Sequence, residues 1–123
     1  AVYADVWVSM GDEATADASP AVTAGSVYYP LQEGDVSNGG VCRYRRTDGA
    51  LLWCAGSDEV YDSPTVVNGV LLVDIVGNYL WAYDAKTGRQ LFDDETDVIS
   101  GQPAVVGNTV YTGGYWNVFA FRP

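Results

Sequence analysis

The sequence predicts an all-β protein built from a repeated four-stranded unit. Its composition of strand formers, a repeat with several concordant landmarks, and turn signals inside each repeat all point the same way. Of 123 residues, 48% are hydrophobic and 13% aromatic, with 14 glycines, nine tyrosines and four tryptophans. β-Branched and aromatic side chains suit a pleated, half-buried surface, and glycine suits tight turns. No window carries apolar residues at i, i+3, i+4 and i+7 with polar residues between. The best helix candidate, Asp12 to Ala18, has no apolar face and reads as an exposed acidic loop.

The repeat is visible in its heads. Ser19-Pro20-Ala21-Val22, Ser63-Pro64-Thr65-Val66 and Gln102-Pro103-Ala104-Val105 begin three units spaced by 44 and then 39 residues. Tyr44 and Tyr83, Gly49 and Gly88, and Trp53 and Phe92 all repeat at 39. Each unit holds four short extended segments between turn signals, the pattern of one β-propeller blade.

Taken in chain order, Asp5-Val6-Trp7-Val8-Ser9 resembles Leu51-Leu52-Trp53-Cys54-Ala55, so residues 3–9 are expected to form a lone outer strand. A blade over 19–54 follows, then a blade over 63–93 with strands at Ser63 to Val67, Val70 to Asp74, Tyr79 to Asp84 and Arg89 to Asp93. Asn68-Gly69 signals a two-residue hairpin in which both central residues take positive φ, and Gly107-Asn108 is expected to do the same. Asp48-Gly49 and Thr87-Gly88 close the hairpins between third and fourth strands. A partial blade over 102–122 ends on a third strand, where Val118-Phe119-Ala120-Phe121 matches Leu80-Trp81-Ala82-Tyr83. About three blades make an incomplete propeller or one part of a larger or oligomeric ring. Offset ring closure and a fragment with ends in phase by accident both stand as readings of the chain ends.

Three wedges leave two apolar blade faces open. The expected partners are the remaining blades of a propeller or a second copy of the chain, with Tyr3 to Ser9 beside a strand such as Asn117 to Phe121. Sixteen acidic against six basic residues, a formal charge of −10, repel phosphate backbones and exclude nucleic acid as a partner. Apolar runs such as Val70 to Val73 are broken within a few residues, so no membrane span is expected. The first residues lack the basic and apolar segments of a signal peptide, although one could already have been removed.

Cys42 and Cys54 lie in one predicted hairpin. A three-residue loop, Thr47-Asp48-Gly49, would set them directly opposite and permit a disulfide, whereas a loop one residue longer or shorter would place them diagonally. The alternative is two buried thiols. A disulfide implies an extracellular or periplasmic protein. Asp93, Asp94, Glu95 and Asp97 form the densest carboxylate group, on the loop expected to follow a strand. Carboxylates suit calcium, but without glycine-punctuated spacing a solvated acidic loop is the plainer reading, as it is for Asp12, Glu13 and Asp17. Arg43 and Arg45 are expected on one strand face and Arg46 in the turn, paired across strands with nearby acids. Trp7, Trp53 and Phe92 recur in phase and read as packing between blades, while Tyr115 and Trp116, in the Gly113-Gly114-Tyr115-Trp116-Asn117 turn, are candidate ligand contacts. Without histidine, Ser-His and Cys-His mechanisms are excluded.

Ala82-Tyr83-Asp84-Ala85-Lys86-Thr87-Gly88-Arg89-Gln90-Leu91-Phe92 resembles the Ala-x-Asp-x-x-Thr-Gly-x-x-x-Trp motif repeated in the blades of pyrroloquinoline-quinone dehydrogenases, with Phe92 at the Trp position. The first unit keeps Gly49 and Trp53 but has Arg45 for the Asp and Asp48 for the Thr. The closing Val118-Phe119-Ala120-Phe121 resembles the last strand of the polyvinyl-alcohol-dehydrogenase-like branch. The resemblance covers residues 19–123 and implies the C-terminal blades of such a propeller. The same blades occur in outer-membrane assembly lipoproteins that bind no quinone, so the expected role is structural or binding. The alternative is part of a quinone-dependent alcohol dehydrogenase, which would use pyrroloquinoline quinone, calcium and an Asp general base. No Asp here matches that base, and the adjacent cysteine pair found over the quinone in many such enzymes is absent from the sequence.

Overall fold

The computed structural model describes residues 4–7, 18–31, 40–56, 59–60, 62–75, 79–95, 102–114 and 116–122. Among them it shows strands and no helix. β1 (Ala21–Val22), β2 (Ser26–Leu31), β3 (Gly40–Arg45) and β4 (Leu51–Ala55) form one antiparallel sheet in chain order. β5 (Thr65–Val67), β6 (Val70–Ile75), β7 (Tyr79–Asp84) and β8 (Gln90–Glu95) form a second. β9 (Ala104–Val106), β10 (Thr109–Gly113) and β11 (Val118–Phe121) form a third. Among the described residues no helix is long and apolar enough to cross a membrane.

The turns follow backbone chemistry, with one correction. Asn68 and Gly69 take φ of 50° and 76° and join the directly paired Val67 and Val70, as a type I′ hairpin requires. In the third sheet only Gly107 is left-handed, at 57°. Because glycine occupies the first central position, Asn108 is spared positive φ and the turn follows the II′ pattern instead.

The β3–β4 hairpin also differs from expectation. Arg45 N donates to Ala50 O at 2.8 Å and Gly49 N donates to Arg45 O at 2.8 Å, so the loop runs from Arg46 to Gly49, one residue longer than a Thr47-Asp48-Gly49 turn. That extra residue alone would slip the strands. A β-bulge at Leu52 takes up the slip: Tyr44 pairs with Leu51, but Arg43 pairs with Trp53 and Cys42 with Cys54. The second sheet repeats the device, with Tyr83 opposite Gln90 and Ala82 opposite Phe92 around a bulge at Leu91. Cys42 and Cys54 are disulfide-bonded, their Cα atoms 4.1 Å apart. The close approach is that of a directly opposed cross-strand pair.

Alternation along each strand divides the core into two layers. Tyr28, Val41, Leu71, Val73, Ile75 and Tyr83 are buried together between the first and second sheets, with Val60 from the β4–β5 link. Leu72, Leu80 and Ala82 point the other way, onto Val105, Val110 and Phe121 of the third sheet. The repeat heads meet along one side: Ser19 N donates to Ser63 Oγ at 3.0 Å, and Thr65 Oγ1 donates to Pro103 O at 2.7 Å. In such meanders the links β2–β3, β4–β5, β6–β7, β8–β9 and β10–β11 emerge at one end of the sheets, the loop end. The β1–β2, β3–β4, β5–β6, β7–β8 and β9–β10 turns emerge at the other, the turn end.

Residues 4–7 do not form a strand, and Tyr3, Val8 and Ser9 lie outside the described residues, as does most of Asp12 to Ala18. Among the described residues β11 pairs only with β10. Trp7 instead holds the 4–7 segment against the first sheet, so among the described residues the expected pairing with Asn117 to Phe121 is not made.

Candidate functional site

One contact recurs on the β3–β4 and β7–β8 turns. Trp53 extends from β4 over the β7–β8 turn and donates its Nε1 hydrogen to Lys86 O at 3.1 Å. Its indole covers Gly88, where a Cβ would approach Trp53 Cδ2 to 2.8 Å. Trp7 repeats this on the β3–β4 turn: its Nε1 donates to Arg46 O at 2.8 Å, and a Cβ on Gly49 would meet its Cε3 at 2.5 Å. Both glycines also hold positive φ, 72° and 75°, so the position is closed to other residues by backbone and by space. Trp7 and Trp53 therefore pack as their phase in the repeat predicts. Phe92, their equivalent on β8, is 44% exposed.

Tyr28 and Arg43 lie in the same cross-strand row as Trp53 and grip the same turn. Tyr28 Oη donates to Ala85 O at 2.9 Å. Arg43 donates from Nη1 to Lys86 O at 2.6 Å and from Nε to Ser26 Oγ at 2.7 Å, its guanidinium 5.9 Å from the Tyr28 ring centroid. Acid pairing is thus corrected for Arg43, whose row faces backbone carbonyls rather than carboxylates. Arg46 likewise donates to Thr23 O and Ala24 O. Arg45 does pair with an acid, Asp48 at 2.7 Å, but within its own turn. That pair explains why the first unit departs from the motif. Asp84 caps its turn by accepting from Lys86 N and Thr87 N, and those bonds, Thr87 first, hold its carboxyl below the usual range. In the first unit Asp48 does the capping, lowered chiefly by the Ala50 N–H and then by Arg45.

The loop end of the junction between second and third sheets is different in kind. Asp74, near the end of β6, is 5% exposed, and neither carboxyl oxygen has a hydrogen-bond partner. Loss of hydration, and then the nearby Asp62 carboxyl, push it up to about 8. Asp74 shares the face of Leu72 and stands opposite Leu80, so it points toward the third sheet. From that sheet Thr112, two residues beyond Val110, faces back, 4% exposed and with no partner for Oγ1. Asp74 was not singled out from the sequence, where it reads as the residue ending an apolar run. Its signal is a carboxylate inside Val70-Leu71-Leu72-Val73-Asp74-Ile75, a strand packed on both faces.

The ligand and metal candidates singled out from the sequence lie only partly among the described residues. Trp116 is 94% exposed in the β10–β11 link, and Tyr115 lies outside the described residues. Asp93, Asp94 and Glu95 belong to β8 rather than to a loop, because β7 reaches back to Tyr79 and supplies partners as far as Glu95. Asp97 lies outside the described residues. Among the described residues no group of three His, Cys, Asp or Glu could hold a metal.

A family model described as outer membrane protein assembly factor BamB matches residues 4–123. No curated protein matches the chain. Among solved structures, the quinohemoprotein alcohol dehydrogenase ADHIIG from Pseudomonas putida HK5 is similar with a TM-score of 0.71 at 24% identity, over 95% of this chain and 20% of that one. BamB from Moraxella catarrhalis gives 0.71 at 14% identity, over 86% of this chain and 31% of that one. A europium-containing methanol dehydrogenase gives 0.68 at 19% identity, over 92% of this chain and 24% of that one. The chain thus spans between 20% and 31% of the length of these proteins, and the likeness identifies its sheets as propeller blades. With a tryptophan docked on the Gly49 turn and another on the Gly88 turn, and a family match over residues 4–123, the chain belongs to the pyrroloquinoline-quinone-like β-propeller repeat family whose model is described as outer membrane protein assembly factor BamB.

Proposed function

We propose that the chain is a propeller segment with a structural or binding role in an extracellular or periplasmic protein, comprising blades over 19–54, 63–93 and 102–122. The Cys42–Cys54 disulfide supports an oxidising compartment. The outer face of the third blade carries the reading. Ala104, Val106, Tyr111, Val118 and Ala120 stand there at the positions where the second blade offers Thr65, Val67, Leu72, Leu80 and Ala82 to the third. Val106 is 70% exposed and Val118 80%, and with Tyr111 they make an apolar seat of the kind the chain's own blades fill. Its occupant is another blade, from the rest of a propeller or from a second copy. Trp116, at the loop end, is a contact for a ligand or protein partner. Light scattering of the purified chain at micromolar concentration is expected to show self-association, and a monodisperse monomer would refute the seat.

The dehydrogenase reading has a direct assay. The protein is mixed with pyrroloquinoline quinone and calcium and supplied with alcohols and a redox dye. No sustained dye reduction is expected. Sustained turnover would overturn the binding role and place the chain in a quinone-dependent enzyme.

A further inference from the structure

We propose that the loop end of the junction between the second and third blades binds a hard divalent cation of calcium's size, using the Asp74 and Asp62 carboxylates and the Thr112 hydroxyl. A carboxylate taken out of water is ordinarily paired, hydrogen-bonded or bound to metal, and each exception in a native structure calls for a cause. Asp74 is 5% exposed with both oxygens unpartnered. Thr112, supplied independently by the facing blade, is 4% exposed with its hydroxyl unpartnered. The two polar groups therefore enter one interface from opposite sides. Both blades belong to this chain.

The chain offers no cation of its own to this place. It has six Lys and Arg and no His. Arg45, Arg46, Lys86 and Arg89 sit in or beside the turns at the turn end, where Arg43 also reaches Lys86 O. Arg122 donates to Thr109 Oγ1 at the start of β10, again the turn end. Nor does the blade repeat call for the carboxyl, since the equivalent positions are Pro30 in β2 and Gly113 in β10. Asp74 thus costs folding energy at a position where the same fold does without it.

The donor set selects the class of ion. It is all oxygen, which suits calcium and not zinc or copper, which favour nitrogen and sulfur. With two carboxylates and a hydroxyl, backbone carbonyls and water would complete the six to eight oxygens that calcium accepts.

The test is thermal unfolding of chelator-treated protein during calcium titration, with terbium luminescence as a second reading that requires no unfolding. A saturable rise of about 5 °C is expected for the native sequence. Asp74→Asn should abolish both the rise and the luminescence, Thr112→Val should weaken them, and Asp93→Asn, on an exposed part of β8, should leave them unchanged. Asp74→Asn removes a buried ionisable group, so it is expected to fold, and circular dichroism checks this. Absence of a saturable response in the native protein up to about 10 mM calcium, above the range of weak extracellular sites, would overturn the proposal. So would an equal response in Asp74→Asn.

Discussion

Replacing Asp74 with asparagine keeps the side chain's shape and removes its ionisation. Burial, and then the Asp62 charge, push the native carboxyl up to about 8, against 3.8 for the free group. Between those values the native state holds one proton that the unfolded state has released, so unfolding free energy falls as pH rises, by about 1.4 kcal/mol per pH unit. The stabilising contribution of the protonated form is complete below 3.8 and is lost progressively up to about 8. Across the whole window the loss is on the order of 5 kcal/mol, a large part of the roughly 5–15 kcal/mol that holds a typical domain folded. The substituted amide does not titrate. The variant should therefore match the native protein at pH 4, exceed it by about 3 kcal/mol at pH 6, and exceed it by on the order of 5 kcal/mol above pH 8. Urea unfolding followed by tryptophan fluorescence, in chelator-containing buffer at each pH, measures the difference. Parallel stability profiles for the two proteins would show that Asp74 is not both desolvated and unpaired. A variant less stable at pH 8 would show that the carboxylate makes a bond the native fold needs.

Other perturbations separate the forces at the blade junctions. Gly69→Ala and Gly88→Ala impose similar φ strain, at 76° and 75°, but only Gly88 lies under an indole. Gly69→Ala should cost about 1 kcal/mol and Gly88→Ala about 2 kcal/mol more in urea midpoints, and equal costs would remove the close approach of Trp53 from the account. Trp53→Phe should lose about 1 kcal/mol with the Lys86 hydrogen bond, and Trp53→Ala about 3 kcal/mol with the packing as well, both by chemical denaturation. An unreduced sample should contain no alkylatable thiol by mass spectrometry. The double variant Cys42→Ser, Cys54→Ser should lose about 2–3 kcal/mol, in line with the short loop that the bridge closes, and an undiminished urea midpoint would contradict that.

Much of the architecture was legible because it is local and periodic. The Ser-Pro heads, the Asn68-Gly69 turn and the phased Trp7 and Trp53 each report a backbone constraint that recurs wherever a blade recurs. Residue spacing predicts the disulfide pairing through a three-residue loop, and the loop has four. It holds because the bulge at Leu52 restores the register, and an extra residue in a loop offset by a bulge in a strand leaves no net trace in residue spacing. The departure at Arg45 and Asp48 looked like a weakened motif until the ion pair between them appeared.

The all-β class, the repeat, the Asn68-Gly69 turn and the absence of histidine chemistry follow from residue types and their spacing along one strand or hairpin. Tertiary structure decided what each blade face meets. Alternation says that Asp74 shares a face with Leu72, but the second blade is apolar on both faces, so alternation does not say whether that face ends in water or against Thr112 of a neighbour. The separation of basic residues at the turn end from Asp74 at the loop end likewise emerges only when strand direction folds distant segments together. A carboxylate's hydration, partners and charge state are set by atoms far away in the chain, and for Asp74 those atoms come from the β4–β5 link and from the next blade.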